Sequence, residues 1–191
     1  RLAAAVGLCG VLGLLPDVAS AQSTVRDVAR ALLADPVYVA DSDRRLLGPM
    51  IRRSDNAAAS TVLRTVGARR LYRLAERAGM RAFRFAWPIW GLSTTSATDQ
   101  ARFFSRIDRL VPPRHRRYAL WLLANIVPWQ RWGIPRASPP GWTIHFKGGW
   151  GSGTGLVTHQ SALLRNGERR IALSVLTRWN PSHRYGTRTI Q

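Results

Sequence analysis

Between residues 43 and 53 the apolar positions Leu46, Leu47, Met50 and Ile51 recur at i, i+1, i+4 and i+5, with arginines on the other side. That is the period of a helix burying one stripe. Residues 23–33 carry the same one-sided pattern. A further helix opens at Asp55 or Asn56, turns Val62, Leu63 and Val66 inward and stops at Gly67. Another starts at Ala68, places Leu71, Leu74, Ala75 and Ala78 on one face and ends at Gly79, since glycine accepts the positive φ of a helix stop. Residues 80–95 lose the period and contain Trp87, Pro88, Trp90 and Gly91, which predicts a long ordered loop pinned by aromatics. Ser96 or Thr98 caps a helix bearing Phe103, Phe104, Ile107 and Leu110, and Pro113 begins one bearing Leu122, Leu123 and Ile126.

After Pro139-Pro140 the pattern changes to that of strands. Residues 142–146 alternate, residues 156–164 and 169–177 are apolar enough for two more strands, and Arg165-Asn166-Gly167-Glu168 joins them as a hairpin. Helices followed by an antiparallel sheet predict an α+β fold in one domain spanning 1–191. Residues 22–140 form a mainly helical lobe and residues 141–191 the strands of the sheet lobe. A sheet of three strands with another helix opening before Gln191 reads as a domain truncated at both ends. Residues 2–15 form an apolar run without acid, shorter than the ~20 residues that span a bilayer. With Ala19-Ser20-Ala21 behind it, residues 1–21 are either an export signal or a core helix.

Composition narrows the chemistry. Hydrophobic residues at 46% and charged residues at 20% are globular proportions, which excludes wholesale disorder and a many-span membrane protein. Cys9 is the single cysteine, and His115, His145, His159 and His183 have no ligand spacing, so neither an internal disulfide nor a metal is expected. The formal charge of +19 suits an acidic partner such as an anionic cell-envelope surface. No basic run interleaves with aromatics as a strand-binding groove requires, so nucleic acid is not expected. Almost all of the positive charge is arginine: Lys147 is the only lysine.

That lysine begins Lys147-Gly148-Gly149, followed by Trp150, and a second short motif, Ser54-Asp55-Asn56, stands at a helix start. Alone, the second is a plain N-terminal cap and the first a strand leaving into a glycine turn. The glycine-rich stretch 148–155 has its lysine in front, so it is not a phosphate loop, and it lacks the dinucleotide and GxSxG spacings. In this order, with helices and a tryptophan-rich loop between them, the pair resembles the second and third motifs of the serine β-lactamase and penicillin-binding protein superfamily. Residues 50–59 are similar to the corresponding helix start of class A β-lactamases and related serine hydrolases, and residues 93–97 to the threonine-rich exit from their Ω-loop. Residues 144–150 are similar to their active-site edge strand.

The resemblance implies a β-lactamase/transpeptidase-like fold, a secreted or envelope location and acyl-enzyme chemistry without a cofactor. The implied substrates are β-lactams or the D-alanyl-D-alanine end of a peptidoglycan stem peptide. By the same resemblance Ser54 and Lys147 are catalytic: Ser54 relays a proton to the leaving nitrogen, and Lys147 supplies the countercharge for the substrate carboxylate. Asn56, Gly149 and Trp150 bind substrate: Asn56 donates to its amide, Gly149 keeps the strand edge bare, and the Trp150 N–H serves the oxyanion. Asp55 is structural.

Three departures qualify this. The first motif, SxxK, is absent; Ser20-Ala21-Gln22-Ser23, starting 34 residues before Ser54, is its nearest imitation, and Ser23 cannot do the work of lysine. No carboxylate lies between Glu76 and Asp99, so the Ω-loop glutamate that activates the deacylating water is missing. Gly148 replaces a threonine or serine whose hydroxyl holds the substrate carboxylate, a role open to Ser152 or Thr154. The chain is therefore expected to be inactive as a fragment of such a hydrolase, or else to be a non-catalytic relative that binds cell-wall peptide.

Overall fold

The structure, a computed structural model, describes residues 41–152 and 155–191. The expected helix at 23–33, the apolar run before it, Cys9, Ser20 and Thr154 lie outside the described residues. The first described helix, α1 (Asp41–Arg53), buries Leu47, Met50 and Ile51 as the period requires. Helix α2 (Asn56–Ala78) is broken at Gly67, whose φ of 71° and ψ of 162° interrupt it where the sequence predicts a stop. Asp55 caps it by accepting the Ala58 N–H at 2.8 Å, and Gly79 closes it in the left-handed region at φ 74°.

The connection from Gly79 to Ser96 is ordered but only partly as expected. It is pinned by the Arg84–Thr94 bridge and by Trp90, at the head of a 3-10 turn (Trp90–Leu92), whose Nε1 donates to Ser60 Oγ at 3.1 Å. Trp87 is not a pin: it is 67% exposed. Ser96, not Thr98, caps α3 (Ala97–Leu110) by accepting the Asp99 N–H. Helix α4 (Pro113–Ala124) follows, with Ile126 buried just past its end. A 3-10 turn (Pro128–Gln130) and the short α5 (Ile134–Ala137) then lead into the sheet.

Strands β1 (Thr143–Gly151), β2 (Val157–Asn166) and β3 (Arg169–Thr177) form an antiparallel sheet in the order β1-β2-β3, and α6 (His183–Thr189) packs back on β2. Strand β1 runs further than the alternation suggests, through Lys147 and both glycines, because its pairing with β2 continues to Gly151 opposite Val157. Gly167, at φ 56°, opens the two-residue β2–β3 turn, for which a glycine at the first position is suited.

Alternation divides the sheet into faces. One bears His145 and Lys147 with their partners Leu163 and Ser161. It turns to the helices: His145 Nδ1 bonds Leu120 O of α4 at 3.0 Å, and Arg170 of β3 makes a bidentate pair with Asp108 of α3 at 2.7 and 2.9 Å. The other face bears Phe146, Gly148 and Trp150 with Gln160 and Thr158 opposite, and it meets the segment around Trp132 and α6. Phe103, Phe104 and Ile107 of α3 join Phe146, Ala162 and Leu163 of the sheet in one buried cluster with the inner stripes of α1 and α2. This is the α+β arrangement of a helical lobe packed against an antiparallel sheet, and the seam between the two runs along the edge strand β1.

Candidate active site

Two breaks in regular structure meet at that seam. Ser54 sits between α1 and α2 with φ 58°, a left-handed conformation uncommon for a residue with a β-carbon. Three contacts hold it there. The Asp55 N–H donates to Pro49 O at 3.2 Å, Gln130 Nε2 donates to Arg53 O at 2.9 Å, and the Ser54 hydroxyl donates to Gln130 Oε1 at 2.9 Å. Because the Arg53 carbonyl can only accept, the amide end of Gln130 faces it and the amide oxygen faces Ser54.

From the sheet side comes Lys147. Its side chain is 1% exposed, and its ammonium donates to Ser54 Oγ at 2.5 Å and to Gly148 O at 2.6 Å. A buried cation is costly without partners. Here the partners belong to two motifs 93 residues apart. The donors run one way, from ammonium to hydroxyl to amide to carbonyl, so each bond polarises the next.

A cleft of about 110 Å³ opens over this relay, lined by Ser54, Asn56, Trp90, Lys147, Gly148, Gly149 and Trp150. Five of the six residues singled out in the sequence thus share one cavity: Ser54 and Lys147 in direct contact, with Asn56, Gly149 and Trp150 on the walls. Asp55 is outside the lining, and its carboxylate is engaged as the cap of α2. Of the two hydroxyls considered as replacements at the third motif, Ser152 is exposed and outside the lining.

Several side chains that shape the site carry no sequence signal. Gln130, buried in the loop after α4, orients the Ser54 hydroxyl. Trp132 lies over Gly148: a β-carbon there would stand 3.2 Å from its Cζ2 and 3.3 Å from its Cη2. Gln160 of β2 fixes that segment by donating to Trp132 O at 2.6 Å and accepting the Ile134 N–H at 2.8 Å. Trp90 is the residue of the 80–95 loop that reaches the cleft, and its one N–H is taken by Ser60. Asp99, the next carboxylate along, is 1% exposed and accepts the Arg81 and Ala82 N–H groups at 2.9 and 2.6 Å, so it braces the loop instead of facing the cleft.

The fold, a helical lobe packed against an antiparallel sheet with this lysine–serine cleft at its edge strand, is the β-lactamase/transpeptidase-like α+β scaffold anticipated from the motifs. The family model described as the beta-lactamase enzyme family matches residues 20–191, and the chain belongs to that family. Solved structures agree in fold. A class A β-lactamase from Mycobacterium abscessus superposes with a TM-score of 0.71 at 18% identity, covering 100% of this chain and 81% of its own. The β-lactamase from Streptomyces albus G gives 0.66 at 21% identity, covering 93% and 77%. The chromosome-encoded β-lactamase of Vibrio parahaemolyticus gives 0.66 at 16% identity over 77% of this chain, which spans 60% of that enzyme. No curated protein matches the sequence.

Proposed function

We propose that the cleft serves the acyl-transfer chemistry of a β-lactamase-related serine hydrolase acting at the cell envelope on a β-lactam or the D-alanyl-D-alanine end of a stem peptide. The observation that carries this reading is the buried Lys147 ammonium donating to Ser54 Oγ across the seam. A charged donor held in a sheltered groove is organised before the ligand arrives, which is where electrostatic positioning acts most strongly. In the reaction the serine of an SxxK pair attacks the amide carbon as its proton passes to the lysine of that pair, and the oxyanion forms against the Trp150 N–H. The bond to nitrogen breaks as the Ser54 proton passes to the leaving nitrogen. For that the Ser54 O–H swings from Gln130 into the cleft, and the proton lost by the attacking serine refills the Ser54 oxygen, so Lys147 keeps its charge. Asn56, on the cleft wall, holds the ligand's amide.

Two features limit the chemistry of these residues by themselves. Lys147 is the only lysine of the 191 residues and is committed to Ser54, so they contain no SxxK pair to form an acyl-enzyme. Trp90 on the loop and the engaged Asp99 in the first turn of α3 offer no base to activate a hydrolytic water. We therefore expect this chain to bind such ligands without becoming acylated, and a longer product supplying SxxK to acylate and deacylate slowly. The second reading, a non-catalytic binder of cell-wall peptide, is favoured by the same two observations.

A fluorescent penicillin and denaturing electrophoresis separate these. The expected outcome is no covalent label on the 191-residue chain and a persistent label on an extended gene product that carries the serine and lysine. Covalent label on the short chain overturns the assignment of the nucleophile to SxxK. An extended product that binds the penicillin reversibly and never covalently establishes the non-catalytic reading.

A further inference from the structure

The face of β1 opposite Lys147 carries an arrangement that the acyl-transfer reading does not require. Gly148 stands where the resemblance expects a hydroxyl-bearing residue, and the space its side chain would occupy is already filled. A β-carbon at Gly148 would meet Trp132 at 3.2 and 3.3 Å and Gln160 Cγ at 3.6 Å. An alanine needs the indole to yield by a few tenths of an ångström, and the two further heavy atoms of threonine need it to move away.

The indole is not free to do so. Trp132 is 8% exposed, its carbonyl accepts from Gln160, and its ring sits edge-on to Trp150 at 6.1 Å and to His183 at 5.3 Å. His183 in turn lies 5.5 Å from Trp150 and is braced by Thr158 Oγ1 at 3.3 Å. Burial holds the His183 ring below the ordinary histidine pKa. Three rings in mutual contact thus back the strand edge, and Trp150, 42% exposed, brings them to the cleft wall.

We propose that Trp132 is a specificity determinant of the cleft. By excluding a side chain at Gly148 it exchanges a hydroxyl grip on the ligand carboxylate for the aromatic face of Trp150, which Trp132 and His183 back from behind. The ligand class it selects carries a flat aromatic group beside its carboxylate. This rests on the ligand class assigned above. Among β-lactams the geometry is that of a cephem with a heteroaryl substituent on the ring carbon next to the one bearing the carboxylate, as opposed to a small alkyl group there. Stacking of this kind is worth roughly a two- to tenfold difference in affinity.

The test uses the full chain and two phenylacetamido cephems, one with a methyltetrazolyl-thiomethyl group beside the carboxylate and one with methyl, titrated by calorimetry. The wild type is expected to prefer the heteroaryl compound by that factor. The double variant Trp132→Leu, Gly148→Thr is expected to lose the preference while still binding the methyl compound. Equal binding by the wild type, or a preference that survives in the double variant, overturns the proposal and leaves the ligand class standing. Binding of neither compound by either protein overturns both.

A thermal double-mutant cycle gives a readout independent of ligand. Gly148→Thr is expected to lower the Tm in the wild-type background and to cost much less beside Trp132→Leu. Additive effects would mean that Trp132 does not hold that space, and would sink the proposal.

Discussion

Lys147 and Ser54 stand out because each breaks a local rule: one is the only lysine in an arginine-rich chain, the other a left-handed residue with a β-carbon. Such strain persists only where surrounding bonds over-determine it. Here Gln130 supplies two of those bonds. The expected consequence of Lys147→Met, which keeps the aliphatic stem and removes the charge, is roughly a ten- to hundredfold loss of β-lactam or stem-peptide affinity, the range for a charged hydrogen bond. Calorimetry on the purified chain checks this, and unchanged affinity would remove Lys147 from the binding role. Both residues were legible in the sequence because their types are scarce or motif-bound. Gln130 was not, since a glutamine between two tryptophan-containing stretches carries no periodic or spacing signal and acquires its role only from the Arg53 carbonyl it meets.

Among the elements, the 80–95 segment brings one residue, Trp90, to the cleft wall. Its existence as a long ordered loop followed from the lost helical period, but the residue that anchors it did not. Asp99 looks in sequence like an ordinary first-turn acid favoured by the helix dipole. In the fold its two oxygens receive the Arg81 and Ala82 N–H groups, with Arg102 at 3.4 Å. Asp99→Ala removes the acceptor of both N–H groups, at a cost of about 1–3 kcal/mol. Urea unfolding measures the loss, and hydrogen exchange at the Arg81 and Ala82 amides is expected to accelerate; exchange as slow as in the wild type would show that another group braces the loop. The same segment explains why Trp90 reaches the cleft and Trp87 does not: the bond to Ser60 of α2 draws one indole inward.

For the molecule as a whole, two contacts that join the helical lobe to the sheet titrate, as does a buried histidine within the helical lobe. Hydrogen bonding to Arg170 holds the Asp108 carboxyl below the usual carboxylate range. Burial lowers His145 against α4, and it lowers His115, where the Arg114 charge adds to the effect. In all three the deprotonated form is favoured by folding, so the stability they contribute is present above the unfolded pKa and lost as pH falls through the folded one. Acid is therefore expected to weaken the fold in two stages, first below about pH 6.5 as the histidines protonate, then below about pH 4 as Asp108 does. Chemical denaturation across pH 8 to 3 reads this out. Asp108→Asn is expected to be destabilised by about 1 kcal/mol at neutral pH and to converge with the wild type in the second stage. A gap that persists at the acid end would assign the cost to packing instead of charge.

The amino-acid order alone determined the longer described helices, the places of the three strands, the α+β class and the two motifs, because periodicity, caps and glycine stops are local properties of neighbouring residues. Gly67 and Gly79 are positions where the local rule and the fold coincide, and the hairpin expected over Arg165–Glu168 forms with its turn narrowed to Gly167-Glu168, because Arg165 and Asn166 stay paired in β2. Tertiary structure alone decided what each motif touches. The 93-residue separation of Lys147 and Ser54 closes only when β1 docks beside the α1–α2 junction. Why a glycine stands at 148 is answered by an indole 16 residues earlier in the chain, which reaches it through the Gln160 clasp. Such contacts depend on how lobes pack over long sequence distances, and no window of neighbouring residues encodes them.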